Sequence, residues 1–157
     1  MTRTLIIEAD GGSRGNPGPS GYGALVTDGD TGEILAERAG FLGHTTNNVA
    51  EYRGLIAGLH AARGIDTAAR WQVRLDSNLI VQQMTGAWKV KNANMKVLHA
   101  TARDLIEGVD VDFSWQPRAK NSAADALANE AMDTQHASIR RGHGADGSDP
   151  EDMSALF

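Results

Sequence analysis

Cysteine is absent from all 157 residues. That excludes a disulfide scaffold, thiolate zinc sites and cysteine nucleophiles, and it fits a reducing compartment. No apolar run approaches the ~18 residues a membrane-spanning helix needs. The N-terminus shows no secretory pattern and enters Arg3-Thr4-Leu5-Ile6-Ile7 directly. No internal repeat is found. The expectation is a cytoplasmic protein with no membrane partner.

What is present suits a globular chain: 41% apolar and 22% charged residues. The length is enough for one domain and short for two, and such a chain buries roughly 70% of its unfolded surface. Net charge is −5, which by itself argues against a nucleic-acid partner. Its distribution argues otherwise. The stretch 87–103 holds Lys89, Lys91, Lys96, Arg103 and Trp88 and no acid, so it reads either as a phosphate-and-sugar footing or as a solvated helix face over a core Trp. From about Thr134 apolar content falls while Gly, Asp, Ser and His rise. Residues 1–133 read as one domain and 134–157 as a disordered acidic tail.

Hydrophobic periodicity predicts strands over 3–10, 22–27, 33–42, 71–76 and 109–115. A glycine- and proline-dense turn region follows Asp10, and a hairpin turn is expected over 28–32. Helical spacing runs from Asn48 to a stop at Gly64, then over 77–84, 96–107 and 122–132. The order β-β-β-α-β-α-α-β-α predicts an α/β fold. Three antiparallel strands and two parallel additions would form one mixed five-stranded sheet with helices on both faces.

Four carboxylates stand out, each with an innocent explanation. Asp10 ends a strand before two glycines and suits a turn. Glu51 sits three residues after Asn48, Asp76 precedes Ser77 at a helix start, and Asp125 sits three after Ser122, all of which resemble helix-capping acids. Their joint placement says more. Asp10 and Asp76 fall at carboxyl ends of neighbouring strands, the edge where α/β sheets bind ligands. Glu51 and Asp125 lie in early turns of helices that reach the same edge. Four converging carboxylates repel unless cations sit among them, and hard oxygen donors suit Mg²⁺ or Mn²⁺. Two such ions activate water for phosphodiester hydrolysis.

Residues 10–19, Asp-Gly-Gly-Ser-Arg-Gly-Asn-Pro-Gly-Pro, resemble the opening motif of type 1 ribonuclease H. Thr45-Thr46-Asn47-Asn48-Val49-Ala50-Glu51 resembles its second motif, Asp76-Ser77 its third, and 121–128 its fourth, in order over about residues 3–133. The resemblance implies the ribonuclease H-like fold. It implies a hybrid-specific endoribonuclease that cuts the RNA strand of RNA–DNA hybrids, leaving 5′-phosphate and 3′-hydroxyl ends. Asp10, Glu51, Asp76 and Asp125 would hold two Mg²⁺ ions, with Mn²⁺ a substitute. Gly11, Gly12, Asn16, Asn47, Asn48 and Asn78 would meet the hybrid through its minor groove, where amides supply donor and acceptor together. By position, Trp88 would sit against a deoxyribose, and Thr46 with Lys89 or Lys91 would seat a DNA phosphate.

Two departures from the family pattern matter. The basic, Trp-rich insertion some members carry after the third motif is absent, which implies salt-sensitive binding. The histidine many members place before the last aspartate is also missing. Arg118 stands near that position and is expected to act on the cut phosphate electrostatically, because a guanidinium stays protonated near neutral pH and cannot shuttle protons. Two other readings stay open: a non-catalytic hybrid-binding module, and a DNA nuclease of the same wider fold. A monomer is expected. Residues 149–157, acidic and then apolar, have the form either of a docking peptide for a replication partner such as a sliding clamp or of an inert tail.

Overall fold

A computed structural model describes residues 2–141. Its elements are β1 Thr4–Ser13, β2 Gly18–Asp28, β3 Ile34–Thr45, α1 Asn47–Ile65, β4 Arg70–Leu75, α2 Asn78–Met84, α3 Ala93–Leu105, β5 Asp110–Trp115, a 3₁₀ turn Arg118–Lys120, α4 Ser122–Thr134 and β6 Ser138–Arg140. One sheet runs in the order β5-β4-β1-β2-β3-β6. β1, β2 and β3 pair antiparallel, and β4 and β5 join β1 in parallel. The hairpin turn closes through the Asp28 amide on the Glu33 carbonyl at 2.8 Å.

Alternation decides the two faces. Leu5, Ile7 and Ala9 of β1 and Trp71, Val73 and Leu75 of β4 are all buried and join the large core with α1, α2 and α3. α1 can lie close to this face because its inner positions are small. A Cβ on Gly54 would stand 2.7 Å from the Asp10 carbonyl oxygen. The opposite face carries α4 over a smaller cluster of Ala39, Leu127 and Ala131. There Gly23 of β2 brings the helix down, since a Cβ would stand 2.3 Å from the Ala124 carbonyl oxygen.

The sheet has six strands where the sequence reading expects five. β6 lies inside the segment read as the start of a disordered tail, and it pairs antiparallel with the outer edge of β3. Three residues with one apolar member, Ile139, give no periodic signal. Tertiary contacts hold the strand. Arg38 is 3% exposed, and its Nη1 donates to the carbonyls of Glu37, Arg140 and Arg141 at 2.9, 3.3 and 3.1 Å. Arg141 pairs with Glu37 at 3.1 Å, and Arg140 pairs with Glu130 of α4. Residues 142–157, including the 149–157 docking peptide, lie outside the described residues.

A chain ending at Thr134 should therefore be less stable than one ending at Arg141. Arg38 would lose two carbonyl acceptors, and a hydrogen bond to a charged group contributes about 1.5–3 kcal/mol. Urea midpoints of the two chains measure the difference. Coincident midpoints would show that β6 adds nothing to the fold.

Candidate active site

Asp10 does not end its strand. β1 continues through Gly11 and Gly12 to Ser13, and the turn region is confined to the short loop before Gly18. Sheet register then places the neighbours. Ala9 pairs with Leu75 in parallel, so the next residues, Asp10 and Asp76, emerge side by side at the same sheet edge. Asp10 also pairs across to Gly23, the glycine on which α4 rests, and this brings Asp125 over it. Glu51 arrives from the other face. A Cβ on Gly11 would stand 2.2 Å from the carbonyl carbon of Ala50, so the start of α1 is pressed against β1 beside Asp10.

Gly11 lines the groove, and on its other side its missing side chain makes room for α1. Gly12 differs. A Cβ there would meet only Asn47 Oδ1 at 4.0 Å, so its backbone faces open groove.

The capping explanations do not survive. α1 is capped by Thr46, whose Oγ1 accepts from the Val49 amide at 3.4 Å, and not by the Asn48–Glu51 pair. Helix α2 is capped by Ser77, whose Oγ accepts from Ile80 at 3.3 Å, so Asp76 is not its cap. α4 has Asn121 at its cap position without a side-chain capping bond; that side chain donates to the Ala9 carbonyl at 2.8 Å instead. Its amide oxygen accepts from Gln116 at 3.1 Å, which fixes the loop before α4 onto β1. Glu51, Asp76 and Asp125 are thus left to face one another.

All four carboxylates line one groove of about 600 Å³. Asp10 is 7% exposed, and its carboxyl is pushed up to about 8. Burial is the largest cause, followed by the charge of Asp76 and a carboxyl–carboxylate hydrogen bond with Asp125. Glu51 is pushed up to about 7, chiefly by burial and with help from Asp76, while a Ser77 hydrogen bond and the Arg118 charge pull it down. Arg118 reaches Asp125 Oδ1 at 3.4 Å, and its own pKa is raised first by Asp10 and then by Asp125. The guanidinium sits 79% exposed at the rim.

Among the described residues no three acidic or histidine side chains already close around a single point. The donor set nevertheless fits hard divalent cations. It is all oxygen, and burial and the neighbouring acids push Asp10 and Glu51 up, a strain that a bound cation would relieve. The four carboxylates would hold the ions, and the ions would supply the charge that the site lacks.

Of the remaining sequence candidates, Gly11, Gly12, Asn47, Asn48 and Arg118 line the groove with the carboxylates. Asn16 lies beside it and accepts from the Asn47 amide at 3.0 Å, while Asn47 Oδ1 accepts from the Ser13 amide at 2.7 Å. The two asparagines thereby tie the β1–β2 loop to the start of α1. Thr46 is exposed at the α1 cap. Asn78 begins α2 and accepts from Gln82 at 3.2 Å, outside the groove lining. Trp88, 48% exposed, and Lys89 lie in the α2–α3 loop, also away from the carboxylates. Sequence reasoning missed Ser13, Arg14, Ser77, Ala128, Asn129 and Met132, which complete the lining. Arg14 stood inside the glycine-rich motif, and Asn129 one helical turn after Asp125.

Comparison with known proteins places these features among relatives. A family model described as reverse transcriptase-like matches residues 8–131. The sequence is 52% identical over 130 residues to the bifunctional protein Rv2228c of Mycobacterium tuberculosis, a match covering 82% of this chain and 35% of that protein. This chain therefore spans about a third of that relative's length. The solved N-terminal ribonuclease H domain of Rv2228c, fused to maltose-binding protein, superposes with a TM-score of 0.80 at 50% identity, covering 85% of this chain and 96% of that one. The ribonuclease H of Syntrophotalea carbinolica is 35% identical over 147 residues, covering 83% of this chain and 93% of that protein. LC11-RNase H1, solved in complex with an RNA/DNA hybrid, superposes with a TM-score of 0.78 at 41% identity, covering 83% and 98% of the two chains.

Proposed function

The chain belongs to the ribonuclease H family, and on that premise we propose that it is an endoribonuclease that hydrolyses the RNA strand of RNA–DNA hybrids with two divalent cations, leaving 5′-phosphate and 3′-hydroxyl ends. The observation that carries this reading is the groove itself. Four carboxylates from separate parts of the chain meet there, with burial and mutual repulsion pushing Asp10 and Glu51 up, beside asparagines fixed by hydrogen bonds.

Asp10, Glu51, Asp76 and Asp125 would hold the ions, Mg²⁺ or Mn²⁺. When bound, two such ions supply an activated water and stabilise the leaving oxygen. The chain's own groups do the rest. Asn16 and Asn47 spend their amide oxygens on internal backbone N–H groups, so they meet substrate as NH₂ donors. Donors directed at 2′-hydroxyls distinguish the RNA strand. Gly12 leaves backbone open to the minor groove. Arg118 can grip the cut phosphate through two parallel hydrogen bonds. Asn78, Trp88, Thr46 and the lysines 89 and 91 lie farther out and would follow the DNA strand.

A labelled hybrid should be cut in its RNA strand with Mg²⁺ and left intact in EDTA, while a DNA duplex of the same sequence is left intact in both. Equal cutting of the DNA duplex would replace this reading with a general nuclease. Hybrid binding without cutting at any divalent-ion concentration would replace it with a binding module.

A further inference from the structure

The groove holds a second cation, Arg14, and we infer that Arg14 grips a backbone phosphate next to the one that is cut, held in register by Asn129 and restrained by Asp133. The inference rests on the hybrid-cleaving reading above and adds a residue to it.

Arg14 and Arg118 are the two cations among the described residues lining the groove. Its floor is otherwise acidic, so a polyanionic substrate needs positive charge at the rim. Each arginine is tied to the same helix. Arg118 meets Asp125 near the start of α4. Arg14 Nη2 meets Asn129 Oδ1 at 3.3 Å and Asp133 Oδ1 at 2.7 Å. Residues 125, 129 and 133 follow one another at four-residue spacing, which sets them along one stripe of the helix, each about 6 Å beyond the last. The stripe is locked internally, because Asn129 Nδ2 donates to the Asp125 carbonyl at 3.0 Å. Arg14 thus sits one helical turn along from the Asp125 carboxylate, on the same groove.

Its backbone is fixed as well. The Arg14 amide donates to the Pro19 carbonyl at 2.8 Å, and a Cβ on Gly18 would stand 2.1 Å from the Arg14 carbonyl oxygen. A loop packed this tightly gives the guanidinium a defined origin. The side chain is still 47% exposed, with Asp133 at 64%, so the ion pair lies open to solvent and can exchange one anion for another. Without nucleic acid, Asp133 occupies the guanidinium. With it, a phosphate takes Asp133's place.

The test is a cycle of variants read by steady-state kinetics on a labelled hybrid, with Tm measured for each. Arg14→Ala should raise KM about 5- to 20-fold and leave kcat within about twofold, because the contact lies beside the reacting atoms. The slope of log KM against log salt should flatten by about one phosphate contact. Arg14→Lys should recover part of the KM. Asp133→Asn should lower KM about two- to fivefold by releasing Arg14, and that gain should vanish in the Arg14→Ala background. An Asp133→Asn gain of equal size in both backgrounds would reduce the effect to general charge and overturn the inference. So would an unchanged KM and salt slope in Arg14→Ala. Should Arg14→Ala lose its fold, the Lys variant and the single Asp133→Asn measurement still decide: an unaltered KM in both refutes the contact. Wild-type hybrid cleavage is the control, and its failure would count against the proposed function and not against Arg14. In that event, anisotropy of a labelled hybrid with the same variants reads the contact by binding alone.

Discussion

Asp10→Asn should lower kcat by on the order of 10³-fold and, in the same protein, raise the metal-free stability at alkaline pH. The first effect follows from removing a buried metal-binding charge at the point where Asp76 and Asp125 meet it, and losing even one preorganised charge contact costs ~10²–10³-fold. The second follows from the electrostatics of the empty groove. Asp10's carboxyl is pushed up to about 8 by burial first and then by its acidic neighbours. In the unfolded chain it ionises near ~3.9. A carboxyl whose folded value lies above its unfolded one is best tolerated protonated. The folded state therefore loses stability as pH rises from about 4 to about 8, and the loss is complete above that. The loss is on the order of a few kcal/mol.

Asparagine has nearly the same shape and nothing to ionise. In EDTA at pH 9 the Asp10→Asn protein should therefore melt well above wild type, and at pH 5 the two should nearly coincide. Adding Mg²⁺ should close the gap by stabilising wild type more than the variant. Thermal melts at the two pH values, with and without Mg²⁺, check every part. If wild type were the more stable protein at pH 9 in EDTA, the carboxylates would not be straining against one another. Near-normal turnover by the variant would remove Asp10 from the reaction. The pairing of a dead site with a more stable fold separates this prediction from ordinary destabilisation, in which activity and stability fall together.

How far the sequence was legible depends on whether the deciding contacts were local. The neighbourhood of Asp10 and Asp76 was readable, because a three-strand meander followed by a helix leaves one place for the next parallel strand. The four carboxylates were readable only jointly. Each stands beside plausible capping partners, and which residue caps each helix depends on where the helix starts, to within one or two residues. Thr46, not Asn48, caps α1, and that shift frees Glu51. What the absent side chain of Gly11 makes room for is not legible locally, because a glycine that admits a helix and one that admits a substrate look alike in sequence. Only Ala50, 39 positions away, tells them apart. β6 was not legible at all. Its hold is a buried Arg38 reaching residues more than a hundred positions away, and local periodicity contains no trace of such a contact. Arg14 fell between the two cases. It was visible in the motif, but its role needs Asn129 and Asp133, more than a hundred residues on.

Arg118 pairs with Asp125 at the groove rim, and its alanine variant gives the second large effect. Arg118→Ala should lower kcat about 10- to 100-fold, the loss of one transition-state charge contact of ~1.4–2.7 kcal/mol. KM should change little: the guanidinium lies 79% exposed at the rim, and in the proposed role its contact strengthens as charge develops in the transition state. Arg118→Lys should recover only part of the rate, because a point charge cannot reproduce the fork. The response to metal then distinguishes this role from a ligand's role. Arg118 draws its charge coupling from Asp10, Asp125 and Asp76 together, and it holds Glu51 down. Removing it makes the groove more negative, so the Mg²⁺ concentration for half-maximal rate should stay level or fall. A metal-holding role predicts the opposite, a higher Mg²⁺ requirement with kcat restored at saturation. The pH–rate profile of Arg118→Ala should keep both of its limbs, because a guanidinium that stays charged throughout the accessible range removes no titration step when it leaves. A lost limb in that profile would mean that the residue had been governing a proton transfer through one of the four carboxylates. Unchanged kcat at saturating Mg²⁺ would leave those carboxylates to work without it.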